Sequence, residues 1–80
     1  MAEHMIVADV PGVFHRTPAP DAPPYAAEGD EVQPGDTVGL VEVMKTFLEV
    51  KSEAAGLIVR FLAEPGQFVD AGQAVAVVRE

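Results

Sequence analysis

Residues 29–42, GDEVQPGDTVGLVE, align without a gap with residues 66–79, GQFVDAGQAVAVVR, and this repeat is the strongest indication of how the chain folds. The identical positions are Gly29 and Gly66, Val32 and Val69, Gly35 and Gly72, Val38 and Val75, and Val41 and Val78. Each copy combines glycine-containing turns with a final run rich in valine, which is typical of a β-strand bounded by turns. Because repeated sequence units indicate repeated structural units, the chain is predicted to fold as two similar all-β halves.

An inserted loop distinguishes the first half from the second. Residues 11–14 resemble residues 55–58 at a separation of 44 residues, whereas the two copies above are separated by 37. The first half therefore has seven additional residues, between Phe14 and Gly29, where a proline-rich run occupies residues 18–24. Prolines stiffen a loop and remove backbone donors. We predict a projecting loop at about residues 17–25, which contains Thr17, Pro18, Ala19, Pro20, Asp21, Ala22, Pro23 and Pro24.

Short strands separated by turns account for the rest of the chain. The predicted strands cover residues 6–10, 12–15, 37–43, 46–51, 56–62 and 74–79, with shorter ones near residues 31–32 and 67–69. Turns are marked by Pro34-Gly35, Pro65-Gly66 and Ala71-Gly72. Closely spaced strands favour two sheets that bury each other's inner faces. The predicted fold class is all-β, a flattened barrel or sandwich formed by residues 1–80 as one domain.

A hairpin with Lys45 at its tip is predicted between the two repeats. With Met44 and Lys45 as a two-residue loop, one face of the hairpin carries Val41, Val43, Leu48 and Val50, a plausible core face. A slip of one residue would reverse both faces, which supports this register. Two-residue loops prefer glycine or asparagine, because positive φ angles are required. Since Met44-Lys45 offers neither, we predict that the tip is retained for a purpose other than folding.

Composition excludes several classes of function. Thirteen acidic residues against five basic ones give a net charge of −8, which disfavours nucleic acids and anionic membranes as partners. No secretory signal or membrane span is recognisable, and the lack of cysteine is compatible with a cytoplasmic location. His4 and His15 stand alone, without the partner spacing of a metal site. Neither a catalytic nor a metal-binding constellation is predicted.

Two segments resemble a known family. Glu42-Val43-Met44-Lys45 resembles the Glu-Ala-Met-Lys signature of biotinyl domains, and residues 12–25 resemble the stretch that forms a protruding thumb in biotin carboxyl carrier proteins of the acetyl-CoA carboxylase type. The resemblance extends from about residue 8 to residue 79. It implies the biotinyl/lipoyl barrel, two antiparallel four-stranded sheets related by a pseudo-two-fold axis, with residues 17–25 as the thumb.

The resemblance also implies a function. Lys45 would be amide-linked to biotin by a biotin protein ligase, with Glu42, Val43 and Met44 completing the motif that the ligase recognises. A biotin carboxylase would load a carboxyl group, and a carboxyltransferase would pass it to an acyl-CoA, typically acetyl-CoA for fatty acid synthesis. The domain would itself catalyse neither reaction. Val43 departs from the alanine usual in the motif, and Thr46-Phe47 replaces a common pair of methionines.

Alternative interpretations remain open from sequence alone. A lipoyl carrier would have the same fold, although such domains usually have Asp-Lys-Ala where this chain has Met44-Lys45-Thr46. An unmodified barrel acting as a structural or interaction module would require no lysine at position 45. The chain could be a compact carrier or a piece of a larger carboxylase, and His4-Met5 could be a cloning remnant.

Overall fold

Eight β-strands form two four-stranded sheets. The computed structural model describes residues 2–80, with strands β1 (Glu3–Val7), β2 (Gly12–His15), β3 (Glu31–Val32), β4 (Thr37–Val43), β5 (Thr46–Lys51), β6 (Gly56–Phe61), β7 (Phe68–Val69) and β8 (Ala74–Arg79). The first sheet has the order β1-β8-β6-β3 and the second β5-β4-β2-β7, and all strand pairs are antiparallel. The predicted fold class is confirmed. Within residues 2–80, no helix has the length and apolar character needed to cross a membrane.

The two sequence repeats form equivalent turns. In the first copy the Asp36 carboxylate accepts a hydrogen bond of 2.8 Å from the backbone N–H three residues earlier. In the second copy the Gln73 side chain accepts the matching bond at 3.0 Å. The glycines that precede these residues, Gly35 and Gly72, have φ angles of 93° and 83°, a region that glycine enters without steric cost. The repeat therefore reflects the internal pseudo-symmetry of the fold.

The core lies between the sheets, and valine is its commonest residue. Phe14 in β2 and Ile58 in β6, which occupy corresponding positions in the two halves, are 0% and 1% exposed. The other members of the core cluster are Ile6, Ala8, Ala26, Val32, Val38, Val41, Val50, Ala63, Val69, Val75, Ala76 and Val78. Because strand side chains alternate between faces, each strand contributes only part of its apolar residues to this cluster.

The predicted strand bounds agree with the structure to within one residue except at β1. Sequence favoured residues 6–10, whereas the strand spans Glu3–Val7. All of its residues except Ile6 are exposed, so no apolar pattern marks its start. Pairing with β8 holds it in place, together with a 2.6 Å hydrogen bond from Arg79 to Glu3 that lowers the pKa of the Glu3 carboxyl group. The ladder shifts register between Ile6 and Val7, where the strand ends.

Candidate functional site

The hairpin of β4 and β5 has the register predicted from sequence. Val43 pairs with Thr46, and Met44 and Lys45 form the loop between them. Their φ angles are 48° and 67°, and they are the only non-glycine residues with positive φ in the described part of the chain. Side chains held in this region cost roughly 1–3 kcal/mol each. The predicted conflict between the loop sequence and its conformation is therefore present in the structure.

Solvent surrounds the hairpin tip. The Met44 side chain is 93% exposed, and Lys45 is exposed as well. The other lysine of the chain, Lys51, lies 3.6 Å from a carboxylate oxygen of Glu49, whereas Lys45 forms no ion pair with any residue that the structure describes. A primary amine is thus presented at a fixed position on a strand-supported turn, which is more precise than a flexible loop.

The rest of the motif is tied into the sheet. Val43 is partly buried and packs against the core cluster. The His15 ring donates a hydrogen bond from Nε2 to Glu42 Oε1 at 3.0 Å, and the ring lies 6.3 Å, centroid to centroid, from the ring of Phe47. His15 stood alone in the sequence, and the contact arises only because β2 pairs with β4. Nothing in the local sequence signals this neighbour of the motif.

The predicted core face of the hairpin is correct for all but one residue. Val41 and Val50 are buried, and Val43 is partly so. Leu48, assigned to the same face, is 41% exposed. It belongs to β5, which lies at the edge of the second sheet, so that only one neighbouring strand covers it. A side chain can thus point to the core side of a sheet and still remain accessible at its margin.

The first part of the predicted thumb lies beside the outer face of the hairpin. Its first four residues face a cavity of about 260 Å³ that is lined by Thr17, Pro18, Ala19, Pro20, His15, Glu42 and Phe47. The later thumb residues do not line this cavity, namely Asp21, Ala22, Pro23 and Pro24. The loop therefore brings its first four residues close to Glu42 and Phe47 on the outer face of the hairpin.

Arg16 anchors the base of the thumb. Its carbonyl oxygen accepts a 2.9 Å hydrogen bond from Tyr25 N, which closes the loop. Its Nη2 atom donates to the carbonyl oxygen of Ala26 at 3.2 Å, and its guanidinium carbon lies 3.9 Å from the centre of the Phe61 ring. Such a cation–π contact with a strand of the opposite sheet fixes the loop against the sandwich.

Comparison with known proteins shows the family to which this chain belongs. The Biotin_lipoyl family model, described as "Biotin-requiring enzyme", matches residues 4–78. The chain belongs to this family. Within residues 2–80, no group of three or more His, Cys, Asp or Glu side chains could hold a metal ion.

Similar proteins carry names that agree with the resemblance found in the sequence. The chain is 39% identical over 67 residues to biotin carboxyl carrier protein of acetyl-CoA carboxylase 2, chloroplastic, from Arabidopsis thaliana, covering 84% of this chain and 26% of the relative. It is 38% identical over 73 residues to biotin carboxyl carrier protein of acetyl-CoA carboxylase from Pyropia yezoensis, covering 91% and 46%. The chain thus spans between a quarter and a half of these relatives. The resemblance is confirmed.

A solved structure supports the fold. Urea carboxylase from Kluyveromyces lactis superposes with a TM-score of 0.80 at 32% identity, and the match covers 99% of this chain and 6% of that protein. The two-sheet architecture described above therefore occurs as a small part of a much larger carboxylase.

Proposed function

We propose that this chain is a biotin carboxyl carrier domain in which biotin is amide-linked to Lys45. The observation that carries the proposal is the placement of Lys45, exposed and with φ of 67°, at the tip of a hairpin whose residues 42–45 match the biotinyl motif in all but Val43. Relatives named as biotin carboxyl carrier proteins support the assignment. The domain would comprise residues 1–80, with residues 17–25 as the thumb.

The residues at the tip fit a covalently attached group. Lys45 Nζ acts as the nucleophile: it forms an amide bond with the carboxyl group that a ligase has activated with ATP, AMP leaves and the amine gives up a proton. Met44 and Lys45 are exposed, so neither side chain blocks the approach of an enzyme. Biotin, when bound, supplies a ureido nitrogen that takes up and releases a carboxyl group.

The carrier role requires three enzymes as partners. A biotin protein ligase recognises Glu42, Val43 and Met44 and modifies Lys45. A biotin carboxylase loads the carboxyl group, and a carboxyltransferase delivers it to an acyl-CoA, acetyl-CoA being the acceptor that the names of the relatives suggest. The domain catalyses no step; it raises the local concentration of the attached group at two active sites in turn.

The test is intact mass after incubation with a purified biotin protein ligase, biotin and ATP. Wild type is expected to gain one biotinyl group and Lys45→Arg none. Lys51→Arg is the matched control, because it removes the only other lysine, and it should be modified like wild type. Modification of Lys45→Arg, or no modification of wild type by a ligase that labels another carrier, would refute the proposal. The same assay with a lipoate ligase tests the lipoyl alternative.

A further inference from the structure

One edge of the second sheet is the long strand β5. It pairs with β4 on one side only, whereas the opposite edge is the short strand β7. Because the hairpin loop has two residues, Val43 and Thr46 form a hydrogen-bonded pair, and such pairs recur at every second residue of an antiparallel ladder. The intervening residues of β5, namely Phe47, Glu49 and Lys51, therefore direct their backbone N–H and C=O groups away from the sheet.

This edge is exposed and open to further pairing. Val50 is the single buried residue of β5. The ladder continues past the end of the strand, because the N–H of Ser52 donates to the carbonyl oxygen of Asp36 at 2.9 Å. Within residues 2–80, no backbone hydrogen bond outside the two sheets involves residues 47, 49 or 51. An edge strand with unpaired backbone groups is a template for pairing with another strand.

The charges of β5 are complementary to those of a second β5 that runs antiparallel to it. If Glu49 of one copy lies opposite Lys51 of another, two-fold symmetry places Lys51 of the first copy opposite Glu49 of the second. Opposite charges directly across an antiparallel pair stabilise it, and like charges destabilise it. A shift of two residues in one direction sets Glu49 opposite Glu49, and in the other direction Lys51 opposite Lys51. Charge therefore favours the first of these three registers.

The same register covers apolar surface at the margin of the sandwich. Leu48 is 41% exposed and borders a cavity of about 390 Å³ that Val10, Val41 and Val50 also line. In the paired register, Val50 lies opposite Val50 of the second copy, so that the Leu48 and Val50 side chains of both copies form one continuous row. Removing such apolar surface from water favours association.

We propose that the chain forms a weak two-fold dimer in which the β5 edges of two copies pair antiparallel about Val50. Each Glu49 pairs with Lys51 of the other copy, and each of these pairs exchanges both of its backbone hydrogen bonds. The patch is self-complementary, as a two-fold interface requires. The net charge of −8 on each copy opposes association and keeps it weak. Lys45 lies beyond the paired residues 48–52, so the dimer leaves the proposed attachment site accessible.

The experiment is sedimentation equilibrium of the wild type and of charge-reversed variants. Wild type should dimerise with a Kd below about 1 mM. Glu49→Lys and Lys51→Glu each set like charges opposite one another at both pairs, and each should raise the Kd at least about tenfold. An equimolar mixture of these two variants should associate as wild type does, because each supplies the charges that the other lacks. Glu31→Lys is the matched control: it makes the same charge change on a strand of the first sheet and should not weaken association.

The outcomes separate the dimer from the carrier role. Wild type that stays monomeric up to about 1 mM overturns the dimer and leaves the biotinylation of Lys45 unaffected. A Kd that Glu49→Lys and Lys51→Glu change no more than Glu31→Lys does overturns the β5 edge as its surface. The double variant Glu49→Lys/Lys51→Glu should again associate as wild type does, a result that misfolding of the single variants cannot imitate. Failure of both the mixture and the double variant to associate would overturn the pairing of Glu49 with Lys51.

Discussion

At the scale of single residues, the turn at Met44 and Lys45 exposes both side chains to solvent but holds both residues in an unfavourable backbone conformation. Both backbones are held at positive φ, a conformation that asparagine tolerates better than methionine. Met44 is 93% exposed, so replacing it sacrifices almost no buried surface. We predict that Met44→Asn raises the free energy of unfolding by about 1 kcal/mol, measured by urea denaturation, and that it slows biotinylation because the motif is altered.

Met44→Leu is the matched control for this variant. It keeps an apolar side chain but has no preference for positive φ, so it should not raise stability. Equal stability of Met44→Asn and wild type would show that the turn is not strained at this position.

At the same turn, one feature could be predicted from the sequence and another could not. The conflict at Met44-Lys45 could be predicted, because loop length and positive φ are local properties. The hydrogen bond between His15 and Glu42 could not, since it depends on the pairing of β2 with β4 across 27 residues of chain. Contacts between distant strands are set by the whole sheet, and no single segment encodes them.

At the scale of elements, residues 17–25, the predicted thumb, contribute no strand to either sheet. The Tyr25 N to Arg16 O hydrogen bond spans its base. Replacing residues 17–24 with Asn-Gly would leave that bond as the closure of a two-residue turn with a favoured sequence. We predict cooperative unfolding and a free energy of unfolding within about 1 kcal/mol of wild type, because loop length has only a small effect on closure entropy.

Arg16→Met in the chain with its loop intact is the comparison for the shortened loop. It removes the hydrogen bond to Ala26 and the contact with Phe61, and should lower the free energy of unfolding by about 1–2 kcal/mol. Both proteins are measured by urea denaturation. An unfolded shortened chain would mean that the thumb is part of the structural core.

The strands differ in how clearly their bounds can be predicted from the sequence. The valine-rich β4 and β8 have the bounds predicted from sequence, because their buried side chains give a strong apolar signal. In β1, by contrast, Glu3, His4 and Met5 are exposed, and backbone pairing with β8 defines the strand. Of the eight strands, β1 is therefore the one whose bounds the apolar pattern predicts least well.

At the scale of the whole molecule, two similar halves share one core. Phe14 and Ile58 occupy corresponding positions, one in each sheet, and both belong to a single buried cluster. The two halves also interleave, since β1 from the first half pairs with β8 from the second within one sheet. Sequence predicted the repeat, whereas this interleaving became apparent only from the strand order. The consequence is that neither half has an independent core.

Because the core is shared, the two sheets should unfold together. We predict that Phe14→Ala lowers the free energy of unfolding by about 3–5 kcal/mol, and Ile58→Val by about 0.5–1.5 kcal/mol. For a small domain the first change removes a large share of the total. In each case NMR signals from both sheets should disappear at the same urea concentration, because a two-state domain unfolds as one unit. If Ile58→Val instead shifted only the signals of the first sheet, which contains β6, the two sheets would unfold separately and the core would not be shared.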